Sequence, residues 1–410
     1  MFDEKKIEKV LKWRMIMDKA KCITALDSMN KDEIKLFLQT EPDLNIFQDR
    51  MLKLGNFYTK VDFSLQAEWL LKQSTLLGAE IISEKLERFL NQEEIKGHDV
   101  LVINGVSLEE GFELSNGIKL IPYTDLQNTT NKATYNPLSI PDDAECPDYI
   151  RSWLMVQKYF FNPRVAVPSA ALICPNVSKP LFQNVDISTL KLDDLYRSRH
   201  NELLEACTCL TLAGPCSPTP MGMWWEPTDW IPYSLWYGGA SGESRFDLIN
   251  NTNRKLTESD RDKIQKIHHQ YSQLSDAIKT ELSVPIDRLN RAIRRDAFAD
   301  KAIELGIVME AIFLNDNDQG ELSYRLRQRA AWMLGNNYIE RKEIMKFFGE
   351  LYNYRSKAVH TGYLPQDNKN INELLLNGIN KVSQAIEKII SNKKWPDWNR
   401  VTLDEKYHID

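Results

Sequence analysis

Arg355 and His360, with four residues between them in the segment YNYRSKAVHTG, are the side chains in this sequence best suited to chemistry on a phosphate ester. Histidine titrates near neutral pH and can transfer a proton in either direction. Arginine stays charged and can direct two N–H donors at the oxygens of one phosphate group. The pair therefore predicts a site that binds phosphate and moves protons beside it.

An Arg–His pair at this spacing is a weak signal by itself. With 20 arginines and 6 histidines in 410 residues, about one such pair is expected by chance. Arg261 and His268, with six residues between them in the polar stretch ESDRDKIQKIHHQ, form a second pair. Arg355 differs because it lies in line with apolar residues of its predicted helix, where a charged side chain requires a partner. We therefore predict that Arg355 and His360 are catalytic and that the second pair is not.

The elements that position this pair are predicted to be helices, from Thr257 onward. TESD at 257–260 predicts a cap and then a helix to about Glu281, with Pro285 near the start of the next segment. Further helices are predicted over 301–314, 322–334, 342–360 and 371–390. One apolar stripe is predicted along 342–360, formed by Ile344, Phe347, Phe348, Leu351, Ala358 and Val359. Four or more helices with short connections predict an antiparallel bundle over 257–410.

The two earlier regions have different patterns. Residues 1–96 show helical spacing and predict a helical N-terminal region. Residues 97–256 are predicted to be mixed α/β: a hairpin turns at Asn116-Gly117, PRVAVPSAALICP forms a strand, and 192–213 forms a helix ending at Gly214-Pro215. The predicted fold class is mainly α, with a mixed α/β N-terminal and middle region before the C-terminal helical bundle.

The composition predicts a folded protein of two or three domains. A hydrophobic content of 42% with 10% aromatic residues is enough for buried cores. The net charge of −6 argues against a protein that coats nucleic acid by bulk electrostatics. Residues 259–410 contain 24 Lys and Arg against 22 Asp and Glu, so the C-terminal third is near neutral and compatible with a local basic cleft.

The sequence also predicts the cellular compartment of the protein. Its start lacks the basic-then-apolar pattern of a signal peptide, and no apolar run is long enough to span a bilayer. Six cysteines in a chain of this length do not form a disulfide framework. The metalloprotease, Walker and dinucleotide motifs are absent, so we predict no cofactor. We expect a cytoplasmic protein that does not bind a membrane.

Two clusters lie before the predicted bundle. Four tryptophans fall in the Pro- and Gly-rich stretch 215–255: Trp224, Trp225, Trp230 and Trp236. They either anchor a connector on a neighbouring domain or form a surface on which nucleic-acid bases stack. Three cysteines lie close to this stretch: Cys207, Cys209 and Cys216. They lack the spacing of a zinc knuckle, so we predict no metal site.

The order of segments in the predicted bundle resembles a known family. AIELGIVMEAIFL is followed by ELSYRLRQRAAWMLG and then by ERKEIMKFF, which leads into LYNYRSKAVHTG. From Asp300 to Leu364 this order resembles the ApeA-like branch of the HEPN superfamily. The resemblance implies a bundle of four or more helices that forms a homodimer, in which two Arg-x4–6-His motifs line one cleft. The resemblance does not extend to residues 1–250.

Such domains are typically metal-independent endoribonucleases of toxins, abortive-infection systems and other antiviral defence. The resemblance therefore implies that Arg355 and His360 cleave RNA, leaving 2′,3′-cyclic phosphate and 5′-hydroxyl ends. These residue types suit the reaction, which requires proton transfers at the 2′- and 5′-oxygens and a cation beside the phosphorane-like transition state. Ser356 departs from the family, whose members often carry a larger polar residue there, and this affects how the arginine is positioned.

The spacing of the motif favours a shared site. Residues five apart project about 140° apart on an ideal helix, so bringing Arg355 and His360 together requires a frayed helix end or a second copy. The extra N-terminal residues are expected to gate the activity, with or without a regulatory partner protein. The alternative is a catalytically silent module that binds RNA, a nucleotide or a partner protein. His360 would then be a structural residue that interacts with the helix dipole.

Three further residues are candidates for supporting or RNA-binding roles: Glu310, Arg325 and Arg329. Glu310 falls on the apolar face of its predicted helix, so it either pairs with Arg325 or Arg329 or orients Arg355. The two arginines share a face and either contact phosphate or pair with Glu310 or Glu321.

Arg288, Arg291 and Arg295 also share one face of a predicted helix. This face is either solvated or in contact with RNA.

Overall fold

The computed structural model describes residues 17–45, 48, 51–54, 57–92, 94–144, 148–161, 166–178, 181–183, 194–228, 253–316 and 320–403. The helices before residue 250 are α1 (Lys19–Asp27), α2 (Lys31–Thr40), α3 (Pro42–Asn45), α4 (Phe63–Leu77), α5 (Ala79–Asn91), α6 (Thr130–Tyr135), α7 (Asp148–Phe160) and α8 (Asp194–Leu210). The later helices are α9 (Glu258–Ser272), α10 (Asp276–Arg294), α11 (Phe298–Phe313), α12 (Leu322–Leu334), α13 (Tyr338–Thr361), α14 (Lys369–Asn392) and α15 (Trp398–Leu403).

The strands lie between α3 and α9. They are β1 (Met51–Leu54), β2 (Phe57–Lys60), β3 (Ile95–Asn104), β4 (Val106–Ser107), β5 (Phe112–Glu113), β6 (Lys119–Pro122), β7 (Ala170–Ser178), β8 (Leu181–Gln183), β9 (Thr219–Pro227) and β10 (Arg254–Lys255). The prediction of a mainly helical chain with strands in its middle region is confirmed. Among the described helices, none is long and apolar enough to cross a bilayer.

The chain forms two compact units, each combining stretches that are distant in sequence. The first contains the described residues of Met1–Val102, Tyr123–Leu203 and Met221–Asp247. The second contains those of Ile103–Pro122, Leu204–Pro220 and Leu248–Asp410. The helices predicted from residue 257 onward belong to the second unit, together with the short hairpin β5–β6.

The first unit has a helical core and short strands. Helices α1, α2, α4 and α5 bury apolar residues such as Leu26, Ile34 and Leu70 against one another. β1 pairs antiparallel with both β2 and β8. β1 and β2 lie within residues 1–96, for which the sequence predicted helices alone. That prediction was wrong here because four-residue strands are too short for apolar periodicity to distinguish them from the flanking helices.

The longer strands of the middle region agree better with the predictions. β7 begins only at Ala170 and so contains AALICP, the second part of the predicted strand PRVAVPSAALICP, whose residues 163–165 lie outside the described residues. β7, β3 and β9 are neighbours in that order. β9 lies in the stretch 215–255, which was predicted as a connector. The predicted hairpin is confirmed as β5–β6, where Asn116 adopts φ of 62° at the turn.

Helix α9 begins as predicted and ends earlier than predicted. Thr257 and Asp260 form a capping box, but the helix stops at Ser272, and α10 then runs through Pro285. Proline within a helix removes one backbone hydrogen bond, so the sequence favoured a boundary near it. Pro285 is buried beside Leu282 and Ile286, and this apolar burial offsets the lost bond.

The helices that follow form a bundle around one apolar core. Phe313 of α11 packs edge-on against Phe348 of α13, with ring centroids 5.5 Å apart, while Gly306, earlier on α11, lies against Arg355, later on α13. The two helices therefore run antiparallel. Gly378 of α14 likewise lies against Leu351 of α13. The short connections 335–337 and 362–368 agree with the predicted arrangement.

Candidate functional site

Helix α13 carries both residues of the Arg–His motif. Its first turn is capped by Asn337, whose side chain accepts a hydrogen bond from the Glu340 amide. The helix ends at Gly362, which has φ of 67°, and the Gly362 amide donates to the Ala358 carbonyl at 2.8 Å. A glycine adopts this left-handed conformation without strain, so the predicted stop at Gly362 is confirmed. His360 therefore lies in the last turn.

Arg355 lies against α11 and makes an ion pair with it. Its Nη2 atom is 3.0 Å from Oε1 of Glu310, and the arginine side chain is 27% exposed. The stem passes directly over Gly306, where an added Cβ would fall 2.3 Å from Cγ of Arg355. Gly306 and Glu310 are one helical turn apart, so the same face of α11 contacts the stem and the charged end of Arg355.

Tyr352 completes this group from the arginine's own helix. Its hydroxyl donates to the same Glu310 Oε1 atom at 3.2 Å, and its ring centroid lies 5.5 Å from the guanidinium carbon of Arg355. Burial and the nearby Glu310 carboxylate raise the pKa of Tyr352. The phenol therefore stays protonated and acts as a donor to Glu310. We call Gly306, Glu310 and Tyr352 the arginine seat.

The seat leaves part of the Arg355 guanidinium without a protein partner. Among the described residues, Nε is buried and has no hydrogen-bond partner, and Nη2 is the atom paired with Glu310. The Arg355 side chain is 27% exposed although its Nε atom is buried, and a guanidinium held in one orientation in this way is suited to binding a phosphate oxygen.

His360 is exposed at the end of α13. Val359 and Tyr363 beside it are 50% and 62% exposed, so apolar surface flanks the histidine. The prediction that Val359 belongs to the buried stripe was wrong. Leu351 and Ala358 are seven residues apart and share the buried face, whereas Val359 is rotated about 100° from Ala358. Ser356 is half-buried and lies between the two motif residues in the sequence.

Arg325 and Arg329 do not pair with Glu310, which corrects the predicted ion pair. Both bind Asp316 in the loop after α11: Nη2 of Arg325 lies 2.6 Å from Oδ1, and Nη2 of Arg329 binds Oδ2. Arg329 is buried and also donates to the Phe313 carbonyl at 2.8 Å. Hydrogen bonds from these two arginines lower the pKa of Asp316, with Arg329 the larger cause. Arg329 therefore holds the end of α11.

The arginines of α10 are also in ion pairs. Buried Glu304 accepts from Arg288 at 3.1 Å and from Arg295 at 3.4 Å, and Arg291 lies 2.9 Å from Asp287. The two contacts with Glu304 connect the end of α10 to α11, whereas the Arg291–Asp287 pair lies within α10.

The two residues of the second Arg–His pair lie in different surroundings: His268 is buried, whereas Arg261 is exposed. His268 is only 2% exposed, and its Nδ1 atom accepts from the Ser115 amide at 3.2 Å. Burial lowers the pKa of His268 to about 4, with smaller contributions from Lys279 and His269. Arg261 instead lies over the Phe112 ring. His268 is therefore a neutral core residue, although its surroundings in the sequence are polar.

The tryptophan and cysteine clusters are largely buried. Trp224 and Trp225 on β9 are within the core, so the stacking-surface hypothesis is wrong for these two; Trp230 and Trp236 lie outside the described residues. Burial raises the pKa of the Cys216 thiol to about 12. In the part of the chain that the structure describes, no group of three or more His, Cys, Asp or Glu is placed to hold a metal ion.

Sequence reasoning missed two members of the seat, Gly306 and Tyr352. A glycine inside a helix costs about 1 kcal/mol relative to alanine, which signals a close contact without naming its partner. Tyr352 precedes Arg355 by three residues and so shares its side of α13. Comparison of the chain with protein-family models, with curated proteins and with solved structures found no match.

Proposed function

We propose that this protein is a metal-independent RNA endonuclease in which Arg355 and His360 carry out the chemistry. The observation that supports this most is the arginine seat. It fixes a partly exposed guanidinium on the helix that carries an exposed histidine in its last turn. A cation held in one orientation stabilises charge on a transition state better than a mobile one, because it needs no reorganisation during the reaction.

In the proposed reaction, one histidine takes the proton from the 2′-hydroxyl, whose oxygen then attacks the adjacent phosphorus. A protonated histidine delivers a proton to the departing 5′-oxygen. The positively charged guanidinium of Arg355 balances the negative charge on the phosphorane-like transition state. The bond from phosphorus to the 5′-oxygen breaks as the 2′-bond forms, so the products carry 2′,3′-cyclic phosphate and 5′-hydroxyl ends.

The two proton transfers are divided between two chains in this proposal. Arg355 and His360 project about 140° apart on an ideal helix, so a homodimer that joins two copies supplies a histidine on each side of the phosphate. Exposed Val359 and Tyr363 beside His360 support a contact at this end of α13, because clustered apolar surface favours association.

We also propose that the protein acts in the cytoplasm and that the remainder of the chain controls the nuclease. The five cysteines among the described residues are buried thiols, which is typical of a reducing compartment. An unrestrained ribonuclease would damage its own cell, so we propose that the first unit or a partner protein gates it. A role as a toxin or antiviral-defence effector follows from the resemblance of Asp300–Leu364 to HEPN domains.

The test is an RNA-cleavage assay with the purified full chain, the Arg355→Ala and His360→Ala variants, and Arg261→Ala as control. We expect the parental chain and Arg261→Ala to cleave RNA. We expect Arg355→Ala and His360→Ala to lose this activity. RNA binding without cleavage would instead support the alternative of a catalytically silent binding module.

A further inference from the structure

We infer that Gly306 and Tyr352 are positioning residues that act on RNA through Arg355, with Gly306 determining where the arginine side chain can lie. This inference rests on the proposed function, because it concerns the same site. Both residues lie outside the Arg–His motif, and their substitution is expected to change the rate of the reaction.

The close approach at Gly306 involves the whole arginine stem. A Cβ at position 306 would lie 2.3 Å from Cγ, 3.0 Å from Nε and 3.1 Å from Cδ of Arg355. Contacts this short at three consecutive atoms cannot be relieved by moving the tip of a side chain. Any residue other than glycine would therefore lift the stem from α11 and move the guanidinium away from Glu310.

Tyr352 constrains Glu310, the acidic residue of the arginine seat. Its hydroxyl and Nη2 of Arg355 share Oε1 of Glu310, at 3.2 and 3.0 Å, so the phenol holds the carboxylate in the orientation that the arginine needs. Its ring also lies beside the guanidinium, 5.5 Å from centroid to carbon, which favours one orientation of the cation. The stem, the charged end and the counter-ion of Arg355 are thus each constrained by a separate contact.

Gly349 provides a matched control within the same bundle. It is also a buried helical glycine under an arginine stem, since a Cβ there would lie 2.8 Å from Cδ of Arg327. Arg327 binds the Ser323 carbonyl of its own helix and has no place in the proposed chemistry. Gly306→Ala and Gly349→Ala therefore each force an arginine stem to move, with closest contacts of 2.3 and 2.8 Å, but they displace different arginines.

The experiment compares these two variants and Tyr352→Phe in the full-length protein. We expect Gly306→Ala to lower kcat/KM for RNA cleavage about a hundredfold, the scale of a misplaced catalytic group, and Gly349→Ala to retain parental activity. Tyr352→Phe should show a smaller loss in the same direction. Parental cleavage by Gly306→Ala, in a series where Arg355→Ala is inactive, would overturn the inference while leaving the proposed function intact.

A second readout does not depend on cleavage. The Nε–Hε NMR resonance of Arg355, assigned by its absence in Arg355→Lys, should move in Gly306→Ala and in Tyr352→Phe but not in Gly349→Ala. If the parental chain proves inactive on RNA, movement of this resonance would still support the seat while the proposed function fails. An unmoved resonance in folded Gly306→Ala would overturn the inference whatever the RNA assays give.

Discussion

Nη2 of Arg355 lies 3.0 Å from Oε1 of Glu310, which joins the predicted catalytic arginine of α13 to an acid of α11. Both side chains are about a third exposed, so water screens the pair and it contributes no more than about 1 kcal/mol to stability. Its main consequence is geometric. The pair holds a charged group at the surface in one orientation, as a phosphate-binding residue requires.

Glu310→Gln is expected to reduce cleavage without destabilising the fold. Glutamine keeps the size of the side chain and removes its charge, so Arg355 loses its ionic anchor. We expect cleavage to fall between about tenfold and a hundredfold, while the free energy of unfolding changes by about 1 kcal/mol or less. Initial cleavage rates and urea unfolding measure the two effects.

Asp316→Asn is the matched control for that substitution. Asp316 binds Arg325 and buried Arg329, which are outside the seat. This variant should lose about 1–3 kcal/mol of stability and keep its cleavage rate per folded molecule. The opposite pattern, with activity lost in Asp316→Asn and kept in Glu310→Gln, would show that Asp316, and not Glu310, is the acid on which cleavage depends.

The buried histidine His268 predicts a specific dependence of stability on pH. Its pKa is lowered from 6.5 to about 4, so the folded state favours the neutral ring. The stability that it contributes is fully present above the unfolded pKa of 6.5 and is lost as the pH falls through about 4. The shift corresponds to about 3 kcal/mol.

We therefore expect His268→Gln to lose less stability than the parental chain when urea unfolding at about pH 7 is compared with about pH 4. The carboxylates titrate in both proteins, so the difference between the two chains isolates the histidine. Equal losses in both chains would show that His268 is not buried as a neutral base.

The shared site can be tested by mixing the parental chain with the His360→Ala chain. A heterodimer keeps both arginines but only one histidine, so one of the two proton transfers has no group to carry it out. We expect the heterodimer to lose most of its activity, whereas a separate site in each chain would leave about half of it. Native mass spectrometry checks that heterodimers form. Heterodimers that keep half of the parental rate, or an active parental monomer, would contradict the shared cleft.

Cleavage should persist in excess EDTA, because proton transfer by histidine and charge stabilisation by arginine need no metal ion. The measurement is the initial rate with and without chelator. Activity that disappears in EDTA and returns with magnesium or manganese would place the protein in a different class of nuclease.

The sequence predicted the helices of the bundle because their apolar residues repeat regularly and glycines follow α12 and α13. It also predicted that Arg355 needs a partner. It left open whether Glu310 pairs with Arg325 or Arg329 or instead orients Arg355. The loop residue Asp316 binds Arg325 and Arg329, which leaves Glu310 to Arg355. Burial of His268 depends on the hairpin residue Ser115, far away in sequence. Such long-range contacts leave no local pattern.

The most direct test of the central claim is the rate of RNA cleavage by His360→Ala, with His269→Ala as the control. His269 is another exposed histidine on a helix, so its loss matches the chemical change at a position outside the site. We predict that His360→Ala folds and that its rate of RNA cleavage falls about a hundredfold or more. His269→Ala should cleave RNA at the parental rate and leave 2′,3′-cyclic phosphate ends. Cleavage by His360→Ala at the parental rate would contradict it.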